Sequence, residues 1–505
     1  MSNSTHLVQS IPADLVEFLH LTDGVLSVVR ERMLDPRVLS LKSRFQKLGH
    51  VREVRVVSYE EILQLKKEDP TDANEEHSLT IQSTLDLFSR AVKERASDIH
   101  IRVHEGYAQV FFRVLGSMTK FFDWPAPFAA SICSTIYQVM CDIADPVYNP
   151  GTYQDARIAK REYLPKGLHG IRVASGPKVG GVCMVLRLLY NDSGTEDVGS
   201  VERLTSLGYN ETHVAAINLM MMRPSGINII AGPTGSGKST TLKHILEAIS
   251  LERPELNILT VEDPPEYPIR GAVQMPVTNA ATEEERRLAF TSAIRAALRM
   301  DPDVIMIGEI RDRESARLAL QAAMTGHQVW ATLHTNSAFG IITRLVELLA
   351  SSEMPNPMGI LADSTVFSGL VFQKLTKTLC PDCRQSLATA SDRLDPDLFQ
   401  RLSKVLDPAS RRGVYVAGPG CDRCDGAAIA GRTVVSEVVA TDESLLAVLR
   451  NSGVEAAKDF WVKEQFGMPV RSHAIEKIKL GIISPKGAED VIGPLVDELV
   501  PVKEA

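Results

Sequence analysis

The stretch Ile227–Thr241, INIIAGPTGSGKSTT, constrains what this chain can fold into more than any other. Gly232, four intervening residues and then Gly237-Lys238-Ser239 have the spacing of a phosphate loop. Ile227, Ile229 and Ile230 form an apolar run suited to a buried strand, and Thr240–Ile249 reads as the helix that follows. Gly232, Gly235 and Gly237 have no side chains, so backbone N–H groups can turn inward around phosphate oxygens. Pro233, Thr234, Ser236 and Thr240 complete the loop, and the helix N-terminus favours the same anion through its dipole. Lys238 is expected to reach the outer phosphates of ATP, and Ser239 to hold Mg2+. A glycine-rich turn that matches by chance is the competing reading; the strand before it and the helix behind it argue against that.

With 505 residues the chain exceeds a single core, and roughly three or four domains are expected. A net charge of −8 argues against a general nucleic-acid binder, so no nucleic-acid partner is expected. No apolar run reaches the length of a membrane span, and the start MSNSTHLVQSIPADL lacks the basic and apolar blocks of a signal peptide. A cytoplasmic location follows as the expectation, where the seven cysteines should not form disulfides.

Residues 1–75 carry no chemical motif, and the charged run Leu65–Ser78 reads as a linker. Residues 79–190 read as an α+β domain: a helix over Ser78–Arg95, strands at Ala96–Val103 and Ala108–Leu115, and two more within Gly170–Tyr190. Arg102, Arg113, Arg172 and Arg187 lie on or beside these strands. They are either a solvated, salt-bridged face or groups aimed at a nucleotide held by another domain. Residues 191–203, polar and glycine-rich, are the expected flexible linker. Strands and helices alternate over 204–373, which predicts an α/β domain with a mostly parallel sheet and ligands at the strands' carboxyl ends. Residues 374–440 hold two Cys-x-x-Cys pairs, and 441–505 should be mainly helical.

Further chemistry sits at strand ends. Leu256–Val261 should deliver Glu262, Asp263 and Glu266 beside the phosphate loop, where carboxylates suit Mg2+ binding or activation of water. Val304–Ile307 ends in Gly308-Glu309, where P-loop ATPases place a carboxylate that acts on the metal or the water. An aspartate is usual before that glutamate, so Glu309 is expected to act through a water or to share the task with Glu262 and Asp263. Val329–Leu333 lies between His327 and His334, both candidates for sensing the γ-phosphate. Arg295 and Arg299 lie four apart on one helix face and either stay on the surface or reach a phosphate across a subunit boundary.

Cys380, Cys383, Cys421 and Cys424 form two tight pairs separated by an insert, the pattern of a structural Zn2+ site. Four thiolates leave no open position for substrate. Cys133, Cys141 and Cys183 lie in apolar surroundings and read as buried small hydrophobes.

Taken together, GPTGSGKSTT, TVEDPPEY, DPDVIMIGEIRD, the TGH and ATLHTN stretches and the CPDC and GCDRC pair resemble the secretion and pilus-assembly ATPases. These are the motors of type II secretion and type IV pilus extension. The resemblance implies a RecA-like P-loop ATPase domain with a tetracysteine zinc insert and a helical C-terminal region, preceded by a PAS-like α+β domain. It implies a homo-hexamer at the cytoplasmic face of the inner membrane, held there through partners and moving an inner-membrane platform protein that adds pilin or pseudopilin to a fibre. It also implies nucleotide bound between the two domains, with Glu262, Glu309, Lys238 and His334 catalytic, Asp263, His327, Arg172 and Arg187 assisting, and a glycine at 308 as a family feature. Leu115 and Val182 stand where the family has Asp and Glu, which suggests a divergent branch such as a type IVb pilus system. A retraction or type IV secretion motor and a nucleotide-switched binding module are the alternatives.

Overall fold

The computed structural model describes Leu15 and residues 18–22, 24–47, 51–67, 73–142, 147–190, 199–277, 282–351, 356–390 and 393–496. The chain forms two compact units, Met1–Ser193 and Gly194–Ala505.

The first unit starts with a small sheet, β1 (Leu19–Thr22), β2 (Val25–Val29) and β3 (Glu53–Val57). The helix Pro36–Lys47 crosses between the parallel pair β2 and β3 and buries Val38, Leu41 and Phe45, a spacing that keeps them on one face. This region does not stand alone. Phe18, Val29, Tyr59 and Ile62 share a core with Leu87 and Phe88 of the next helix, and the rings of Phe18 and Phe128 meet edge-on at 5.4 Å. That next helix, Ala73–Lys93, begins inside the expected linker Leu65–Ser78, whose residues 68–72 lie outside the described ones.

A six-stranded antiparallel sheet follows: β4 (Ala96–Val103), β5 (Tyr107–Val114), β6 (Ser117–Pro125), β7 (Gln154–Ile158), β8 (Leu168–Lys178) and β9 (Gly181–Tyr190), in the order β6-β5-β4-β9-β8-β7. Alternation sends Ile99, Phe112, Ile158, Ile171, Val173 and Leu186 into the core. It therefore sends their neighbours to the other face. There the register aligns Arg157 with Arg172, Arg172 with Arg187, Arg187 with Asp98 and Asp98 with Arg113, a single row across five strands.

The second unit opens with a helix, Ser200–Leu207, which takes up the end of the stretch expected as a linker; residues 191–198 lie outside the described ones. Its main sheet has seven strands: β10 (Gly226–Ala231), β11 (Ile258–Glu262), β12 (Ala272–Pro276), β13 (Val304–Ile307), β14 (Gln328–Leu333), β15 (Phe367–Leu379) and, last in sequence, β18 (Ile429–Ala440). Their order is β12-β11-β13-β14-β10-β15-β18, and every neighbouring pair is parallel except β15 with β18. Successive residues bury on opposite faces: Ile229, Ile305 and Val329 on one, Ile230, Val304, Met306 and Trp330 on the other. Burial on both faces explains why these strands read as continuous apolar runs.

The cysteine insert occupies Cys380–Ala428, and both strands that flank it belong to the main sheet rather than to a separate module. Within it, β16 (Gln385–Ser386) pairs with β17 (Tyr415–Val416), and Leu398 and Leu402 share a core with Ile478 of the C-terminal helix Val470–Lys479, Ala488 of the helix Pro485–Ile492 and Ile483 between them.

Candidate nucleotide site and cysteine cluster

Parallel strands have all their carboxyl ends on one edge of the sheet. That topology alone brings the loop after β10, Glu262 at the end of β11, Glu309 just past β13 and His334 just past β14 to the same side.

The loop itself is set by glycine. Gly237 has φ 85° and caps the helix Lys238–Glu252, a conformation that L side chains rarely adopt. At Gly232 a Cβ would lie 2.3 Å from the carbonyl oxygen of Gln373 and 2.6 Å from the Ser236 hydroxyl, so no other residue fits. Pro233, Thr234 and Gly235 are exposed at the tip; Ser239 and Thr240 are half-buried at the start of the helix. Lys238 is buried, and its Nζ donates to the carbonyls of Gly232 at 2.8 Å and Pro233 at 3.2 Å. Burial lowers its pKa, and the carboxylates of Glu309 and Glu266 oppose that shift. The ammonium is thus poised in the loop on weak carbonyl partners that a phosphate would outcompete.

Glu309 faces this lysine and is held from two sides. Arg311 Nε donates to its Oε2 at 2.8 Å, and His334 Nε2 lies 3.3 Å from its Oε1. Arg311 also reaches Asp263 Oδ2 at 3.4 Å, so one guanidinium links the acidic ends of β11 and β13. Burial and the charge of Lys238 keep the His334 pKa below its usual value. Glu262 is buried in a different setting. Its Oε1 accepts from Thr260 Oγ1 at 2.7 Å and from Gln274 Nε2 at 2.8 Å, and burial raises its pKa. The glycine at 308 has a steric cause: a Cβ there would sit 3.1 Å from the Val261 carbonyl oxygen, tighter than ordinary contact.

Not every expected residue joins the group. His327 precedes β14 and so lies at the opposite edge of the sheet, about 20 Å along the strand from His334. Its Nδ1 is within hydrogen-bond distance of the Ala322 carbonyl, which marks it as part of the turn into the strand. Arg295 is exposed and ion-paired with Glu314; Arg299 is exposed just beyond the end of the same helix. Arg187 in the first unit donates to Asp98 Oδ1 at 3.0 Å, Arg113 lies 3.7 Å from the same carboxylate, and Arg102 stacks over Phe111. Arg172 stands opposite Arg187 in the row. Reading the sequence missed Arg311, although its place two residues after Glu309 is a signal. It also missed Gln274, which had none.

The four cysteines converge. Their sulfur atoms all lie within 4.8 Å of one another, with Cys380 to Cys421 at 3.7 Å, Cys421 to Cys424 at 3.7 Å and Cys383 to Cys424 at 3.8 Å. Tetrahedral bonds of about 2.3 Å to zinc require sulfur separations of about 3.8 Å, so the set fits that ion. The spacing is far from that of a disulfide, and none forms. The backbone N–H groups of Cys421 and Ala428 both donate to Cys424 Sγ at 3.2 Å, which favours a thiolate there.

A lysine docked in a glycine cradle, faced by an ion-paired carboxylate on a parallel sheet, is the equipment of a P-loop ATPase. The fold is similar to that of the Legionella pneumophila ATPase DotB (TM-score 0.56, 23% identity, covering 79% of this chain and 92% of that one). It is also similar to the pilus retraction motor PilT (TM-score 0.55, 23% identity, covering 82% and 97%). The chain belongs to the family of type II/IV secretion system proteins, whose pattern matches residues 73–498. It is 34% identical over 412 residues to the putative type II secretion system protein E of Escherichia coli K12, covering 80% of this chain and 76% of that protein. It is 37% identical over 376 residues to the type II secretion system protein E of Pseudomonas aeruginosa, covering 73% and 67%. It is also 33% identical over 383 residues to the type IV pilus assembly ATPase PilB of Thermus thermophilus, covering 76% of this chain but 39% of that protein. The protein is an ATPase motor of the secretion and pilus-assembly class.

Proposed function

We propose that this ATPase works as a homo-hexameric ring at the cytoplasmic face of an inner membrane, where hydrolysis moves a platform protein and so adds pilin or pseudopilin subunits to a fibre. The observation that carries the reading is the cluster of Lys238, Glu309, Arg311 and His334 at one sheet edge, together with four converged cysteines. None of the helices among the described residues is long and apolar enough to cross a membrane, so attachment would run through partners.

In this reading the Gly232–Thr240 loop binds the phosphates and Ser239 would hold Mg2+. Glu262 accepts the proton of the attacking water, because burial raises its basicity toward the working pH. Glu309, ion-paired with Arg311, would face the metal's water shell and, through His334, the γ-phosphate. Arg172 and Arg187 would contribute positive charge to the nucleotide in the assembled motor. Cys380, Cys383, Cys421 and Cys424 would hold Zn2+ and close the insert. The test is ATP turnover by the purified protein with and without the cytoplasmic part of its platform protein. Stimulation supports the motor assignment, and an unchanged rate with a platform that does bind sinks it.

A further inference from the structure

Beside the phosphate loop lies a polar group that hydrolysis does not use. Gln373 on β15 is fully buried, and the parallel register that pairs Ala231 with Phe372 sets it next to Gly232. Its Nε2 donates to the carbonyl of Ser236 at 2.8 Å, and its Oε1 accepts from the Tyr209 hydroxyl at 2.6 Å. Chemistry fixes the orientation of the amide: a backbone carbonyl only accepts, so the NH2 end must face Ser236. Tyr209 then donates to Oε1, and its oxygen lies 3.3 Å from the hydroxyl of Thr241 in the helix behind the loop. All four residues are buried.

The consequence comes from the geometry of one peptide. In a planar trans peptide the C=O and the next N–H point in opposite directions. Tethering the Ser236 carbonyl to Gln373 therefore turns the N–H of Gly237 the other way, toward the space a phosphate would occupy. We propose that Gln373, braced by Tyr209, is a positioning residue that aims the phosphate-binding N–H groups of the loop. The proposal rests on the phosphate loop being the nucleotide site. A buried amide that merely satisfies its own hydrogen bonds is the rival account, and it predicts lower stability without a change in nucleotide affinity.

Three variants of the full chain separate the two. Gln373→Met keeps the volume and removes both hydrogen bonds; Gln373→Glu keeps the acceptor for Tyr209 but loses the donor to Ser236; Tyr209→Phe releases only the outer brace. The proposal expects Gln373→Met and Gln373→Glu to raise the KM for ATP and the Kd for ADP about tenfold, with kcat within about threefold of the parent. Tyr209→Phe should raise both by about threefold. A parental KM and Kd in Gln373→Glu, or a fall in kcat alone, would overturn it. If Gln373→Met does not fold, the other two decide. A parent chain that binds no ADP would remove the nucleotide site itself, whereas a parent that binds ADP as well as its variants do removes only the role of Gln373.

Discussion

His334 Nε2 lies 3.3 Å from Glu309 Oε1, although the two residues follow different strands of the sheet. The pair joins the imidazole proposed to sense a γ-phosphate to the carboxylate that faces Lys238. If His334 contacts the γ-phosphate as proposed, loss of that phosphate would reach Glu309 through this one contact.

Hydrolysis should depend on both glutamates. Glu262→Gln and Glu309→Gln should each lower kcat by about 100-fold or more while ATP stays bound, because a base or metal-facing group is lost and the cradle is kept. Lys238→Ala should instead lose binding as well. Turnover and fluorescent-nucleotide titration distinguish the cases, and near-parental turnover by Glu262→Gln would refute its role as base.

The raised pKa of Glu262 carries a pH signature. A base must be ionised to act, so kcat should fall as pH drops through a value above the ordinary 4.5. The acid limb of the kcat profile should disappear from the residual activity of Glu262→Gln.

Arg311 should matter through the two carboxylates it joins. Arg311→Ala leaves Asp263 and Glu309 without their shared cation, and kcat should fall about tenfold or more. Since Arg311 makes a half-exposed pair, the melting temperature should hardly change. A large loss of stability with parental turnover would contradict this.

The cysteine cluster should contain one zinc ion per chain by elemental analysis. Cys383→Ser should lower that content and destabilise the insert and the helices packed on it, with a smaller effect on ADP affinity. Four freely titratable thiols in the native, metal-free protein would rule the site out.

Acid should loosen the contact between β18 and the C-terminal helices. His213 is buried against Ser436 and His473, with Lys477 nearby, and its pKa is pushed down to about 4. A histidine with a lowered folded pKa is neutral in the fold and protonates first in the unfolded chain, so stability falls as pH drops from about 6.5 to about 4. His213 by itself contributes on the order of 3 kcal/mol to this loss. Thermal unfolding across that range should show the slope, and His213→Gln should reduce it while leaving the share of His473, whose pKa burial also pushes down, to about 2.

The phosphate loop and the cysteine pairs were legible because their chemistry is local. A turn of glycines, a lysine and a hydroxyl work through consecutive backbone groups, and two Cys-x-x-Cys turns each present their sulfurs whatever lies between. The alternation of strands with helices likewise predicted a mostly parallel sheet, and with it the edge where the acidic strand ends gather. His327 was misleading because pattern places it beside a strand without saying which end faces the nucleotide; the parallel direction of β14 decides that.

What the sequence alone determined is therefore the class of fold, the glycine-rich loop with the phosphate-loop pattern and the metal-type thiol set. Only the tertiary structure decided which groups serve these sites from a distance. Gln373 meets Tyr209 across 164 positions, and Arg311 meets Asp263 across 48. Such contacts leave no periodic trace, because they depend on strand order and register, and these arise from how the whole sheet buries its two faces.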